Sequence, residues 1–282
     1  MVEGAELLSV ALEAGTPVES VFVAPEGRGN PAVAAVVDRA FARGVRVFDL
    51  GPGVIERVAD TVTPQPVLAV VGFAPAELQD VKDKSTVVVC VDVRDPGNAG
   101  TMIRTADASG VGAVVCCDGT VDPTNPKTVR SSAGSLFHVP VVAGGTAVSV
   151  IRTLHDWGFT TVGTAVRGGV GYAAFDWDQK VAVVFGNEAS GLDLSLIERL
   201  DARVSIPMVG HAESLNVAVS ASVLCFEMLR QRRTGGPGAD SAGGRPTDAA
   251  SPIADTSGPR STISGMDAAR GIPEEQTGAG HG

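Results

Sequence analysis

Three loops of the sequence, each placed directly after an apolar run, carry side chains that can bind a ligand or hold a proton. The polar residues of these loops are Asn98 and Arg104, Asn187 and Glu188, and Ser214 and Asn216. Amides and hydroxyls donate and accept hydrogen bonds, carboxylates accept them, and a guanidinium can hold a phosphate through two parallel bonds. Ligands of open α/β sheets bind where the strands end. The three loops together therefore predict one composite binding site.

Helix capping is the alternative role for several of these residues. Asn98 precedes a predicted helix over 99–108, and Ser214 and Asn216 precede a second helical pattern. Asn and Ser are favoured at the N-cap, where the side chain accepts a backbone hydrogen bond. Arg104 lies six residues after Asn98 and need not share its helix face, so it can be a solvated charge. One such loop is ordinary, whereas three are hard to explain by capping alone.

The elements that must position these loops form two predicted α/β parts. Apolar runs predict strands over 20–24, 45–50 and 67–73 in the first part and over 86–93, 113–118, 159–166, 180–186 and 202–207 in the second. Runs of Val, Ala and Ile separated by helical segments are typical of a parallel sheet with both faces covered. The sequence therefore predicts an α/β fold with a small domain over 1–78, a polar linker, and a parallel-sheet domain over 85–233.

Composition bounds the class of protein. With 282 residues, 44% of them hydrophobic, the chain can bury the core of one large or two modest domains. Apolar runs stay below the roughly 18 to 20 residues of a membrane span. The N-terminal MVEGAELL lacks the basic and apolar regions of a signal peptide, so we expect a cytoplasmic protein. Residues 234–282 are rich in Gly, Pro, Ser, Ala and Asp and predict a disordered tail.

The spacing of the cysteines and histidines and the absence of familiar glycine motifs argue against several kinds of chemistry. Apolar runs without CxxC spacing hold Cys90, Cys116, Cys117 and Cys225, which predicts reduced core thiols. The histidines His138, His155, His211 and His281 form no zinc-binding spacing, so we expect no metal. The sequence also lacks a GxGxxG opening a first helix, a GxxxxGK[ST] loop and a GxSxG elbow, which disfavours dinucleotide binding, P-loop hydrolysis and serine-hydrolase chemistry.

Net charge argues against a general nucleic-acid-binding surface. The chain carries a charge of -10 with a pI near 4.9, whereas affinity for phosphate backbones comes largely from Lys and Arg. Residues 85–233 hold 12 basic and 14 acidic residues and are near neutral. A local basic patch is therefore compatible with the sequence in that part.

Four segments, in their order and separation, resemble the signature motifs of one enzyme family. NAGTMIRTADASG, VVFGNEASGL and IPMVGHAESLNVAVSASVLCFE are similar to the three motifs of the SpoU, or TrmH, branch of the SPOUT methyltransferases. DPTNPKTVRSSAGSLFHVPV, over 122–141, resembles the segment between the first and second motifs. The resemblance is specific because several long motifs agree together.

The resemblance implies both a fold and an activity. It implies a deep trefoil knot in the parallel-sheet domain, a rare exception to unknotted topology, and a homodimer. The implied reaction transfers a methyl group from S-adenosylmethionine to a ribose 2'-OH of RNA. Residues 1–78 resemble the small α/β RNA-binding domain of such enzymes. In relatives a further helix and strand usually precede it, so the N-terminus is expected to be either shortened or assigned a wrong start.

The resemblance also assigns residues to roles. It places the cofactor against Phe185, Gly186, Asn187, Ile206, Met208, Ser214, Leu215 and Asn216, with Ile206 and Leu215 packing on the adenine. It credits Arg104 with activating the 2'-OH, among Asn98, Glu188, Ser214 and Asn216. A guanidinium stays protonated at neutral pH and is a poor base. The second hypothesis is that Arg104 clamps the adjoining phosphate while the proton leaves to water or to Glu188.

RNA contacts are predicted at Lys127 and Arg130. Weaker candidates are Arg28, Arg39, Arg43 and Arg46, which are equally well explained as solvated charges. The additional N-terminal domain favours 23S rRNA of the large subunit over tRNA as the substrate. A tRNA ribose methyltransferase and an RNA-binding SPOUT protein without turnover stay open as alternatives, whereas the Asn-Arg and SLN motifs disfavour methylation of a base.

Overall fold

The structure is a computed structural model that describes residues 1–59 and 61–235. The predicted tail over 234–282 falls almost wholly outside the described residues, and the last helix ends at Thr234. Two sheets organise the described chain, one of four strands and one of seven. Among the described helices, none is both long enough and apolar enough to cross a membrane.

The N-terminal sheet is small and mixed. Its strands are β1 (Val2–Glu3), β2 (Val18–Val23), β3 (Arg46–Asp49) and β4 (Val67–Val71), and its helices are α1 (Ala5–Glu13), α2 (Pro31–Ala42) and α3 (Ile55–Val58). The strand order is β1-β4-β2-β3, with only the β2–β3 pair parallel. Asn30 caps α2 by accepting hydrogen bonds from the backbone of Ala32 and Val33, and Pro31 follows at the first helical position.

The C-terminal sheet is parallel throughout, as predicted. Its strands are β5 (Thr86–Cys90), β6 (Ala113–Cys116), β7 (Val141–Ala143), β8 (Thr160–Thr164), β9 (Val170–Gly171), β10 (Val181–Phe185) and β11 (Ala202–Ser205). They follow the order β7-β6-β5-β10-β8-β11-β9. The sequence patterns did not predict β7 and β9, because runs of three and two residues carry almost no periodicity.

Helices cover both faces of this sheet. They are α4 (Pro96–Ser109), α5 (Pro126–Ser132), α6 (Ala147–Asp156), α7 (Leu194–Ile197) and α8 (Val217–Thr234). On one face α4, α5 and α8 bury Met102, Ile103 and Leu224 against Val88, and on the other α6 and α7 pack on Val87. Removing this apolar surface from water is the main term that stabilises such a fold.

One hydrophobic core runs without a break from the small sheet to the large one. Val21 and Val67 of the small sheet belong to the same buried cluster as Val88 and Met102 of the large one. The turn at Gly134 lies so close to α1 that an added Cβ would come within 2.6 Å of a methyl group of Val10. The two sheets are therefore joined by packing as well as by the chain.

The connection between the sheets is packed and does not have the character of a polar linker. The backbone NH of Ala76 donates to the carbonyl of Val141 at 2.9 Å, and a short 3-10 helix spans Leu78–Val81. Val81 is fully buried under β7 and α6 with the second apolar cluster. Two large apolar residues within APAELQDVKDKS, Leu78 and Val81, were too weak a signal to predict this anchoring.

The four cysteines are buried free thiols, as the sequence predicted. Burial raises the pKa of Cys117 to about 12 and the pKa of Cys225 to about 12. The thiols of Cys117 and Cys225 consequently stay protonated at neutral pH, and all four cysteines pack as small apolar side chains.

Helix α4 begins earlier than the sequence predicted. Its N-cap is Asp95, whose carboxylate accepts the backbone NH of Asn98 at 2.9 Å, and Pro96 takes the first helical position. The prediction that Asn98 caps this helix is therefore wrong. An Asp followed by Pro is a strong helix-start signal, because Pro lacks the NH that would otherwise need a partner, and it marked this start in the sequence.

Helices α4 and α5 approach closely at Gly100. A Cβ added at Gly100 would collide with the carbonyl oxygen of Thr128 and lie 2.6 Å from the Cβ of Ser131 and 2.9 Å from the backbone nitrogen of Ser132. Glycine normally weakens a helix by roughly 0.5 to 1 kcal/mol relative to alanine. Here it is required because α5 occupies the place of the side chain.

We expect Gly100→Ala to lower the free energy of unfolding by about 1 to 3 kcal/mol, despite the better helix propensity of alanine, because the collision is with backbone. Thermal and urea unfolding measure this change. Gly29→Ala is the control, since its added Cβ would meet open space. A Gly100→Ala protein as stable as the wild type would contradict the close approach.

Candidate functional site

A chain of side-chain hydrogen bonds joins the three loops that the sequence singled out. The Nδ2 of Asn216 donates to Oδ1 of Asn98 at 2.9 Å, and the Nδ2 of Asn98 donates to Oε1 of Glu188 at 3.1 Å. Asn98 lies in the first turn of α4, Glu188 follows β10, and Asn216 caps α8 by accepting from the backbone of Ala218 and Val219. The structure therefore brings these three residues together in one network.

Glu188 is the acceptor at the end of this network. Besides Asn98, its carboxylate accepts the backbone NH of Asp95 at 3.0 Å and that of Arg94 at 3.2 Å. Partial burial acts to raise the pKa of Glu188, but the hydrogen bonds from Asn98, Asp95 and Arg94 outweigh it and hold the pKa below its ordinary value. Glu188 is therefore ionised at neutral pH and already engaged by donors.

The loop after β10 is folded by Asn187. Its Nδ2 donates to the carbonyl of Asp92 at 2.9 Å, and its Oδ1 accepts the backbone NH of Ala189 and of Ser190. The loop returns so closely that a Cβ on Gly186 would collide with the backbone of Gly191. Asn187 thus shapes the loop and does not line the pocket that the loop encloses.

That pocket lies between the second and third loops. Among the residues predicted to hold the cofactor, Phe185, Gly186, Ile206, Met208, Ser214 and Leu215 line it, whereas Asn187 and Asn216 do not. Thr164, Ser190, Ser220 and Leu224 also line it and were missed by the sequence analysis. Glu188 lies at its wall, so the pocket meets the hydrogen-bond network there. A pocket with mostly apolar walls and a few polar groups is typical of a small-molecule site.

Arg104 lies away from this pocket. It lines a second groove, together with Arg130 of α5 and with Asn30 and Gln65 of the small domain. Within the described chain, the guanidinium group of neither arginine has a hydrogen-bond or ion-pair partner. Two acids, Glu3 and Glu6, line the same groove, and the carboxylate of Glu3 accepts from the hydroxyl of Thr61 and from the backbone NH of Gln65. Two arginines thus face a shared groove, and in the described chain neither forms an ion pair with the acids that line it.

The other predicted RNA-binding residues divide into engaged and unengaged side chains. Lys127 pairs with the capping carboxylate of Asp95 at 3.3 Å, beside the first loop. Arg28 forms a salt bridge with Asp49, and Arg39 forms one with Glu13 and donates a hydrogen bond to Ser9. Arg43 donates a hydrogen bond to the carbonyl of Leu12. Arg46 on β3 has no such partner among the residues described.

No group of three or more His, Cys, Asp or Glu side chains in the described part of the chain could hold a metal ion.

Another residue missed by the sequence analysis is Asp92, which has a φ of 57° and whose carboxylate accepts a hydrogen bond from the Nε of Arg94 at 2.8 Å. Its carbonyl anchors Asn187, so it links the first loop to the second. A non-glycine residue in the left-handed region has no reliable sequence signal, although Asp tolerates it better than most.

Comparison with known proteins places this geometry in a family. The SpoU rRNA Methylase family model matches residues 85–226, and the MRM3-like substrate binding domain matches residues 1–69. The 23S rRNA (guanosine(2553)-2'-O)-methyltransferase RlmP of Bacillus subtilis (strain 168) is 37% identical over 229 residues, which cover 81% of this chain and 87% of the relative. The chain belongs to the SpoU rRNA methylase family. All three loops of the site lie inside the segment that the SpoU family model matches.

Solved structures of RNA-modifying methyltransferases share the fold. AviRb from Streptomyces viridochromogenes, a SpoU methyltransferase, superimposes with a TM-score of 0.73 at 29% identity, covering 83% of this chain and 90% of its own. An AdoMet-bound rRNA methyltransferase from Sinorhizobium meliloti gives 0.72 at 32% identity, covering 82% and 86%. These matches extend beyond residues 85–226, so the small N-terminal sheet is part of the shared architecture.

In this SpoU family chain we expect the network around Glu188 to make stability depend on pH at the acid end. Because the folded-state pKa lies below the ordinary value of 4.5, the stabilisation is present above that value and is lost as the pH falls through the folded-state pKa. The midpoint temperature of thermal unfolding, measured from about pH 7 to about pH 3, should therefore fall more steeply for the wild type than for Glu188→Gln.

The control for this pH series is Glu198→Gln, at an exposed helix end where the side chain forms none of these hydrogen bonds. It should decline in parallel with the wild type. Parallel curves for the wild type and Glu188→Gln would mean that the carboxylate does not tie the loops together.

Proposed function

We propose that this chain transfers a methyl group from S-adenosylmethionine to a ribose 2'-OH of 23S rRNA. The observation that carries the proposal is the network of Asn216, Asn98 and Glu188, which joins the three family motifs at the wall of the pocket. RlmP, a relative matched over 87% of its length, is a 23S rRNA 2'-O-methyltransferase by name. The match of residues 1–69 to a substrate binding domain supports an RNA substrate.

The pocket has the chemistry that S-adenosylmethionine requires. Structures of AviRb and of the Sinorhizobium meliloti enzyme contain AdoMet, and both share the fold of this chain. Ile206 and Leu215 provide apolar contacts for an adenine ring, and the hydroxyls of Ser214, Ser190 and Thr164 provide hydrogen bonds for polar groups. When bound, the cofactor supplies a methyl group activated by its sulfonium.

The protein's contribution to the reaction is to position the RNA. Arg104 and Arg130 line one groove beside the small domain, where two guanidinium groups can hold phosphates of the RNA backbone. Correct placement of two reacting groups can lower a reaction barrier by several kcal/mol. Arg104 therefore acts in this proposal as the phosphate clamp, and the proton of the 2'-OH passes to water.

Glu188 positions other groups and is not the base in this mechanism. Its carboxylate accepts hydrogen bonds from Asn98 and from two backbone NH groups, and these bonds lower its pKa. A carboxylate held in this way binds an additional proton weakly. Its role is to fix Asn98 and, through Asn98, the start of α8.

A homodimer accounts for two further observations. Arg104 lies outside the pocket of its own chain, and apolar side chains on the third loop and α8 are exposed, with Leu215 at 36%, Val219 at 49% and Phe226 at 48%. Val219 and Phe226 are seven residues apart and share a helix face. We propose that two copies pair through this face and that Arg104 of one copy serves the pocket of the other.

The deep trefoil knot and the boundaries of the domains at 78 and 85 stay predictions of the family resemblance. A cytoplasmic location is part of the proposal because ribosomal RNA is modified where ribosomes are assembled. The matches to 1–69 and 85–226 support the division of the chain into a substrate domain and a methyltransferase domain.

The direct test is transfer of labelled methyl from S-adenosylmethionine to separate transcripts of 23S rRNA, 16S rRNA and tRNA. We expect label in 23S rRNA, released by alkali as a resistant dinucleotide because a 2'-O-methyl ribose cannot cyclise. Label in tRNA would reassign the substrate, label in a base would reassign the reaction, and cofactor binding without any transfer would indicate a binding protein.

We expect Arg104→Ala and Arg104→Lys to lower kcat/KM on that RNA by about a hundredfold, because a lysine cannot replace a bidentate guanidinium. Arg152→Ala is the control, since Arg152 is exposed on α6 over the opposite face of the sheet. Near-native turnover by Arg104→Ala would rule out both the clamp and the base hypotheses.

Sharing of sites between two copies is tested by complementation. Arg104→Ala and Gly186→Ala chains, each inactive as a homodimer, are co-expressed with different tags and purified in tandem. If each arginine serves the partner's pocket, the mixed dimer contains one intact site and should regain about half of the wild-type activity. An inactive mixed dimer would show that each copy uses its own Arg104.

A further inference from the structure

The small domain carries a stacked pair of aromatic rings on the sheet face that its two long helices leave free. Phe22 of β2 and Phe48 of β3 are register partners, with ring centroids 5.4 Å apart and planes inclined by 20°. Helix α2 packs on the other face, where Val33 and Val36 contact the core of Val21. The aromatic pair therefore lies on the outer face of this sheet.

This face is only partly covered. Helix α3 buries Ile55 against Leu68, and Phe22 packs at the margin of that small cluster. Phe48, on the edge strand, keeps 44% of its surface exposed. A phenylalanine has no polar group to justify such exposure, so its open ring face is a candidate contact surface.

A cation stands beside the exposed ring. Arg46 lies two residues before Phe48 on β3, and side chains of alternate residues share a sheet face. Arg46 is exposed and has no ion-pair or hydrogen-bond partner among the residues described. The nearby acid Asp49 is matched by Arg28 at 3.1 Å. The edge thus offers an open aromatic ring with a neighbouring positive charge that no acid in the described chain neutralises.

We propose that Phe48, supported by Phe22, is a stacking platform for an unpaired base of the RNA substrate, and that Arg46 holds the adjoining phosphate. Proteins that bind single-stranded RNA combine exposed aromatic rings, on which bases stack, with cations that follow the backbone. An apolar protein partner would not use Arg46, and a duplex would not expose a base face. This inference rests on the proposed function and names a contact for the substrate outside the catalytic pocket.

The test compares substitutions that keep or remove the aromatic ring. Binding of a fluorescent oligoadenylate of about ten nucleotides is measured by anisotropy, and KM and kcat are measured on the 23S rRNA transcript. We expect Phe48→Leu to weaken binding and raise KM by about tenfold, because leucine keeps the apolar contact and loses the stack. Phe48→Trp should bind at least as tightly as the wild type, and its fluorescence should be quenched by the oligoadenylate.

Two further variants test the charge of Arg46 and the position of the exposed ring. Arg46→Gln should weaken binding and flatten its salt dependence, since one phosphate contact is lost. Phe41→Leu should leave binding unchanged, because Phe41 is 73% exposed but lies on α2. kcat at saturating RNA should stay at the wild-type value in all four variants, because none of the substituted residues lies in the pocket or beside Arg104.

Wild-type KM for Phe48→Leu, or an unquenched Phe48→Trp, would overturn the platform, and methyl transfer by the wild type would still uphold the proposed function. Conversely, tight and ring-dependent binding of oligoadenylate by a protein that transfers no methyl would uphold the platform alone. A change in oligomeric mass on Phe48→Leu, with RNA binding unchanged, would assign the edge strand to contacts between copies of the chain and overturn the proposal.

Discussion

The geometry of the site depends on the side-chain amide of Asn98, which donates one hydrogen bond and accepts another. It donates to Glu188 and accepts from Asn216, so loops after three different strands are held in one arrangement. Among side chains of this size an aspartate could only accept when ionised, and a leucine could do neither. The same loops also provide hydrogen-bond acceptors for the free backbone NH groups at the starts of two helices, because Asp95 caps α4 and Asn216 caps α8. The capping role and the proposed ligand-related role of these loops thus fall on the same few residues.

The parallel sheet makes this meeting of loops possible. All seven strands run in one direction, so their carboxyl ends open onto one edge, and β5 and β10 are immediate neighbours. Helices α4 and α8 pack side by side, with the hydroxyls of Thr105 and Ser222 2.9 Å apart. Their first turns therefore lie together at the same edge. At the opposite end, Arg232 of α8 donates to Ser85 and to the carbonyls of Trp177 and Gln179, which fixes the far end of the helix.

Much of this could be predicted from local sequence, and the remainder depends on tertiary contacts. Long runs of Val and Ala predicted the central strands, and the three polar loops predicted that Asn98, Glu188 and Asn216 belong to one site. The location of Arg104 and Arg130 in one groove could not be predicted, because it requires α4, α5 and the small domain to meet there. Asn187 was assigned to the cofactor, yet its amide folds the loop from behind. Nothing in its residue type distinguishes the two roles, since both use the same donors and acceptors.

The unbroken core between the two sheets has a consequence for selection of the substrate. Because Val21 and Met102 belong to one buried cluster, and Gly134 leaves no room for a side chain against Val10, the small sheet cannot swing freely relative to the pocket. The separation between a contact on the small sheet and the pocket is then a fixed length. If the small sheet contacts the RNA as proposed, an RNA is accepted only when its folded shape spans that length, and selection then depends on the shape of the RNA as well as on its sequence.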